Sequence, residues 1–438
     1  MSDKIAVLVN IESIIQEWGG GGIEIERAII SRLANRDDIL IVPKVDTLIS
    51  KNKDLIWKII KENKLSNILI LDNNSTLPKT LLKTTLNELK RRNVKYVLDL
   101  NYWPLSYMQL NLQRRNSLPF LYLLGEAYYY SKGLGSKMGV MLQGVGLNEN
   151  ILGVPKVILR YIKNKNRETL PIDVFINNRN KIMYLIYKGL RERFISIFLK
   201  HSRAINRIYG LSYGQLKVLH LHDINKSYVV EPAMPDSVSN LRGLKFRKRD
   251  YLVFYARLIP LKGILEIPFI MKRLIEFTDL KEIKIYVIGK FPNTDVKNIF
   301  FKTVQDLKLE DNVIYKGFLY GDELYKIIAQ AKCTLYPSHE DSFSLAILES
   351  VALRTPVVAY DILPLRSVYG NLSSVILVKE FDINGMALQV SRILRLNEDK
   401  YNEIVYSESV DNFIEKHSNW DDVVNKLYID LLRISKIR

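Results

Sequence analysis

Short apolar runs alternate with amphipathic stretches along most of this chain. Ile5-Ala6-Val7-Leu8-Val9 is β-branched and apolar throughout, the pattern of a strand buried on both faces. Four glycines at 19–22 follow it, and residues 23–33 then place Ile, Ala and Leu at helical spacing. Further apolar runs at 39–42, 68–71, 96–100 and 140–142 are separated by helix-like stretches. The alternation restarts in the second half. Strands are expected at 252–255, 283–288, 313–315, 333–336 and 356–360, and helices at 263–277, 296–307, 321–331 and from Phe343 onward. Strands alternating with helices across short connections predict parallel sheets covered by helices, hence two Rossmann-like α/β domains. Pro232, Pro235 and Gly243 interrupt the pattern between the halves. The expected division is an N-terminal domain at 1–230, a C-terminal domain at 231–419, and an amphipathic terminal helix at 420–438.

Composition narrows the class. A chain of 438 residues, 47% hydrophobic, fits two folded domains and not a disordered one. The single cysteine, Cys333, excludes a disulfide framework and suggests a reducing compartment. The first residues lead straight into a strand-like run, and no apolar run reaches membrane-spanning length, so a cytoplasmic protein is expected. The net charge of +17 is unevenly placed, because residues 151–250 alone hold 20 basic and 7 acidic side chains. Such a stretch attracts nucleic acid, anionic lipid headgroups or an anionic substrate. Zinc-finger spacing and the RRM signature are both absent, so no nucleic-acid partner is expected. The run at 184–200 is aromatic, apolar and basic together. It reads equally as a helix lying on a membrane surface and as a core helix with charged edges. Peripheral association with the inner face of the cell membrane is the corresponding expectation.

The densest chemistry lies at 337–349. Pro337-Ser338 ends a strand, the acids Glu340 and Asp341 follow with Ser342, and a helix then carries Glu349 eight residues beyond Asp341. Unpaired N–H groups at a helix start suit phosphate oxygens, and carboxylates accept hydrogen bonds from hydroxyls, so the segment suits a ligand part sugar and part phosphate. Arg257 and Lys262 flank the turn after the second half's first strand, where open α/β sheets take their ligands. Two fixed cations there suit a diphosphate. The glycines 19–22 do not form the dinucleotide fingerprint, since Glu24 stands where its third glycine falls, and no Lys-Ser/Thr pair follows as in a Walker A loop. His220 and His222 alternate as on a strand, yet no cysteine or acid accompanies them at metal-ligand spacing, and there is no Asp-x-Asp. No metal and no cofactor are expected.

Together these segments resemble the retaining GT-B glycosyltransferases of family 4. The resemblance runs over roughly 250–360, through Arg257-Leu258, Lys262-Gly263, Gly317-Phe318, Pro337-Ser338, Asp341-Ser342-Phe343-Ser344-Leu345, Leu348-Glu349 and Pro356-Val357-Val358-Ala359. Gly22-Ile23-Glu24 is similar more loosely, and the terminal helix resembles a segment that packs back on the N-terminal domain. The resemblance implies a retaining transfer of a hexose from a nucleotide-sugar donor to a sugar or lipid-linked acceptor, plausible at the membrane face. Arg257, Lys262 and Asp341 are then the catalytic group, with the two cations on the diphosphate and Asp341 near the transferred sugar. Glu349 faces the ribose hydroxyls, the backbone of Ser342, Phe343, Ser344 and Leu345 lines the helix end, and Gly20, Gly21 and Gly22 approach the donor. Gln143 and Glu340 are further sugar contacts. The chain departs from the family pattern at Asp341, usually Glu, at Ser342 and Ser344, usually Gly, and at Gln143, near where a histidine is common. Those departures leave two alternatives open: a non-catalytic nucleotide-sugar-binding subunit, and an epimerase or phosphorylase on the same fold.

Overall fold

The computed structural model describes residues 2–15, 20–45, 67–69, 78–102, 124–144, 179–241, 244 and 246–436. Gly19, residues 70–71 and the 151–178 part of the basic stretch lie outside them. Two parallel six-stranded sheets organise the chain. The first contains β1 (Lys4–Val9), β2 (Ile39–Pro43), β3 (Val94–Asp99), β4 (Lys137–Leu142), β5 (Ile205–Gly210) and β6 (Ser227–Val229), in the order β2-β1-β3-β4-β5-β6. The second contains β7 (Arg249–Tyr255), β8 (Lys284–Ile288), β9 (Val313–Gly317), β10 (Ala331–Tyr336), β11 (Val357–Tyr360) and β12 (Val375–Val378), in the order β12-β11-β10-β7-β8-β9.

Around the first sheet lie α1 (Glu12–Ile15), α2 (Gly21–Leu33), α3 (Pro78–Arg91), α4 (Glu126–Leu134), α5 (Arg179–His201) and α6 (Tyr213–Val218). The short α7 (Asp236–Leu241) leads to α8 (Ile267–Phe277), α9 (Thr294–Asp306), α10 (Gly321–Gln330), α11 (Leu345–Ala352), α12 (Leu363–Tyr369) and α13 (Ile383–Leu394). Then come α14 (Glu398–Val405), α15 (Glu408–Lys416) and α16 (Trp420–Ser435). The period-two side-chain alternation of β1 divides its neighbours between two layers. Ile5, Val7 and Val9 join a core that also holds Ile29 of α2, Leu427 and Leu431 of α16, and Phe343 and Leu348 of the second half. Ala6 and Leu8 face the opposite layer, with Leu82, Tyr130, Ile195 and Leu199. A separate core fills the far side of the second sheet, around Phe254, Met271 and Met386.

The terminal helix returns to the first sheet, as the family resemblance implied. Asp430 of α16 accepts from Arg207 at 2.7 Å and from the Tyr209 hydroxyl at 2.9 Å, all three buried against β5. The run at 68–71 lies partly outside the described residues, and within them Ile68 bridges Ile41 of β2 in parallel. Two expectations are corrected. The helix expected at 263–277 starts at Ile267, because a 3₁₀ turn at Pro260–Lys262 and Gly263 at φ +80° come first. His220 and His222 sit in a turn, not a strand, since α6 ends just before them and His220 takes φ +55°.

Candidate active site

The order of the second sheet reverses between β7 and β10, and open α/β sheets take ligands in the crevice at such a reversal. The C-terminal motif residues collect there. Arg257 and Lys262 follow β7, the 337–341 loop follows β10, and α11 carries Glu349. Gly263 lets the two loops meet. A Cβ at that position would stand 2.1 Å from the Pro337 carbonyl oxygen, and its φ of +80° already favours glycine. The His339 amide donates to the Leu261 carbonyl at 2.9 Å. Its imidazole is fixed between Glu266 and Glu380, each at 2.7 Å, and the Tyr360 hydroxyl donates to the other oxygen of Glu266.

Lys262 donates to Asp341 Oδ2 and to the Glu340 carbonyl, both at 2.7 Å, with a longer 3.4 Å contact to the Tyr336 hydroxyl. Tyr336 in turn donates to the same Asp341 oxygen at 2.6 Å. Burial alone would lower the Lys262 pKa, but Asp341, Tyr336 and Glu340 outweigh it and the net direction is upward. The ammonium therefore stays charged. Asp341, and not Glu340, offers its carboxylate to Lys262, while Glu340 contributes its carbonyl. Arg257 is exposed, and its side chain makes no hydrogen bond or ion pair among the described residues.

The N-terminal domain supplies the opposite wall. Gly20 caps α2 in an extended conformation, and a Cβ there would lie 3.9 Å from Arg257 Cδ. At Gly21 it would lie 3.6 Å from Leu345 Cδ1, and at Gly22 only 2.5 Å from Gln143 Oε1. The glycine loop thus rests on Arg257, Leu345 and Gln143 at once. Gln143 donates from Nε2 to the Leu100 carbonyl at 2.7 Å, which holds its oxygen toward Gly22.

The two serines serve different ends. Ser342 Oγ donates to the Gln143 carbonyl at 2.7 Å and its own carbonyl accepts from Ser212 Oγ at 2.5 Å, so it ties the two walls together. Ser344 takes φ +76° and caps α11 by accepting from the Ile347 amide at 3.3 Å. That backbone starts α11 at Leu345 and not at Phe343. The Phe343 ring packs inward against Tyr369 and His417, leaving only its backbone for the crevice.

Residues 241–409 match the family model described as Glycosyl transferases group 1. Two solved structures share the whole architecture. A glycosyltransferase of Rickettsia africae aligns with a TM-score of 0.63 at 14% identity, covering 100% of both chains. Anabaena HepE in complex with UDP-glucose aligns with a TM-score of 0.61 at 12% identity, covering 98% of this chain and 100% of that one. The chain has the GT-B fold, and its second half carries the match to the group 1 glycosyltransferases. An uncharacterised glycosyltransferase of Methanocaldococcus jannaschii is 23% identical over 243 residues, 55% of this chain and 57% of that relative's length.

The GT-B cleft also makes contacts that the sequence did not mark. Glu349 is 8% exposed and receives the Tyr325 hydroxyl at 3.5 Å. Burial first, and then Glu24 on the opposite wall, push its pKa up to about 8 against the pull of Tyr255 and Tyr325. Glu24 stood in the sequence as part of a loose glycine motif, and only the fold turns it toward Glu349. At the carboxyl ends of the first sheet, Lys44 and Asp99 form a buried pair at 2.6 Å. Glu26 beside them accepts from the Asn10 amide and side chain and from Ser13. Burial raises the Glu26 pKa, partly offset by Lys44. Lys44 and Asp99 end strands on either side of β1, so their pairing follows from strand order and has no local sequence signal. Among the described residues no three His, Cys, Asp or Glu side chains gather as metal ligands would.

Proposed function

We propose that this protein is a retaining glycosyltransferase that moves a hexose from a nucleotide-sugar donor to a lipid-linked acceptor at the cytoplasmic membrane face. The observation that supports it best is the crevice at the β7/β10 reversal. It sets an unpaired Arg257, a charged Lys262 and a buried Glu349 against the glycine loop of the other domain. The donor's ribose hydroxyls meet Glu349, and its diphosphate lies between Arg257 and Lys262. A phosphate oxygen replaces the long Lys262–Tyr336 contact, the weakest of the three that the ammonium makes. Asp341 and Gln143 face the transferred sugar. HepE, which shares this fold, is known in complex with UDP-glucose, so UDP-sugars are the first donors to try.

In the transfer step the bond from the sugar's anomeric carbon to the diphosphate oxygen breaks. The acceptor oxygen bonds that carbon from the same face, and its proton passes to the departing phosphate. Arg257 and Lys262 carry the charge growing on the leaving group, in place of a metal ion. Gln143 orients the sugar and moves no proton. A thermal-shift screen of nucleotides and nucleotide sugars tests the donor, since a ligand bound only by the folded state raises the melting temperature. Transfer assays on Lys262→Ala and Glu349→Ala then test the site. We expect a loss of roughly a hundredfold or more from Lys262→Ala. Full activity in both variants would refute the assignment.

A further inference from the structure

We propose that the outward face of α5 docks on an anionic lipid bilayer, lying in the headgroup region and not crossing it. Over its described side chains this helix has two dissimilar faces. Glu192, Ile195, Ser196 and Leu199 turn inward to the first sheet. Leu190, Phe194 and Ile197, spaced i, i+4 and i+7 on one stripe, are 55%, 46% and 49% exposed. Side chains this apolar are costly in water, and three on one stripe form a continuous strip. Phe194 stacks on Phe198, whose ring meets Tyr128 of α4 edge-on, so the strip rests on a packed base.

Charge selects the occupant. Arg193 and Lys200 stand at i+3 and i+10 on the same side as the strip, with His201 at i+11. Glu192, the one acid between 186 and 201, is buried and turned away. Beside the strip a cleft of about 300 Å³ opens between the helix and the turn at His220, lined by Arg193, Ser196, Ile197, Lys200, His201 and His220. Its size and cationic rim suit a phosphate headgroup, while the strip enters the boundary of the acyl chains. Apolar residues flanked by cations without acids are the pattern of a helix that lies in a membrane interface. The excess of 20 basic over 7 acidic side chains in residues 151–250 adds long-range attraction to an anionic leaflet. No helix among the described residues is long and apolar enough to cross a bilayer. The strip faces away from the layer that holds α2 and α16.

This docking does not depend on the donor chemistry proposed above, and the test keeps them apart. The full chain is sedimented with vesicles of phosphatidylcholine alone, or of phosphatidylcholine mixed with phosphatidylglycerol, at low and high salt. We expect pelleting with the mixed vesicles, reduced by salt. At about fivefold in partitioning per cation near an anionic surface, R193Q/K200Q should weaken it about thirtyfold. L190S/F194S should weaken it roughly tenfold or more. Both variants should keep the wild-type melting temperature and nucleotide response, since the changed side chains lie outside the core and away from the crevice at the β7/β10 reversal. Wild-type protein left in the supernatant with mixed vesicles would overturn the proposal, as would unchanged pelleting of both double variants. A missing nucleotide response with intact pelleting would overturn only the donor reading.

Discussion

At the scale of single residues, the buried Glu349 carboxyl makes stability depend on pH. Its carboxyl holds a proton in the folded protein up to about pH 8, whereas the ordinary value is 4.5. Across that window the folded state binds more protons than the unfolded one. Stability therefore falls as pH rises through it and levels off above, by an amount on the order of a few kcal/mol. Glu349→Gln mimics the protonated acid. The variant should melt close to wild type near pH 5 and clearly above it near pH 9, where its stabilisation by a nucleotide donor also drops below that of the wild-type carboxylate. Melting curves at the two pH values check both halves, and equal differences at each pH would remove Glu349 as the titrating group. Ser344 is a second strained position. Its φ of +76° suits glycine, the residue usual in the resembling family, while its hydroxyl caps Ile347 at 3.3 Å and also meets the Tyr336 side chain. Left-handed backbone costs a non-glycine residue roughly 1–2 kcal/mol, whereas exchanging a serine cap for glycine costs a few tenths and losing a hydrogen bond about 1 kcal/mol. Ser344→Gly should therefore leave the protein as stable as before or up to about 1 kcal/mol more stable, read from the denaturant midpoint.

At the scale of elements, the site depends on two loops from neighbouring strands being pressed together. Gly263 is the point of pressure, with the Pro337 carbonyl where its Cβ would stand. Gly263→Ala should push the 260–263 turn off the 337–341 loop and move Lys262 from Asp341. A displacement near 1 Å can cost on the order of a hundredfold in rate, so the change should appear in kcat more than in the expression of folded protein. Assays of transfer beside circular dichroism separate the two effects. Five of the six strands of the second half were legible because parallel strands buried on both faces read as unbroken apolar runs, whereas β12 was not expected. Arg257, Lys262, Asp341 and Glu349 were legible because each lies within a few residues of a strand or helix end. What escaped notice depends on contacts between distant segments. Glu24 meets the field of Glu349, Ser212 reaches Ser342, and Lys44 reaches Asp99, and in each case the partners come from different elements. Strands β5 and β6 were missed for another reason: Asn206 and Arg207 in β5, and the three-residue length of β6, break the apolar pattern.

At the scale of the whole molecule, the second half reaches across and holds the first through α16. The surface part of that contact includes Arg32 to Asp421 at 2.7 Å, with the aspartate 66% exposed, and such pairs contribute about 0–1 kcal/mol. The buried part is different. Asp430 is held by Arg207 at 2.7 Å, Arg433 at 3.0 Å and the Tyr209 hydroxyl at 2.9 Å, with Arg207 and Asp430 both nearly out of water. Removing one partner of a buried pair leaves the other charge uncompensated, which costs about 3–5 kcal/mol. Asp430→Ala should therefore lower the melting temperature by several degrees, whereas Arg32→Ala should hardly move it. The same loss weakens the strap between domains that also meet through the shared core around Phe343 and Leu348 and through Ser342 to Gln143. Calorimetry of Asp430→Ala should then show two transitions in place of one, with a bound nucleotide raising mainly the transition of the second half. A single cooperative transition in that variant would mean that the cleft contacts couple the halves without α16.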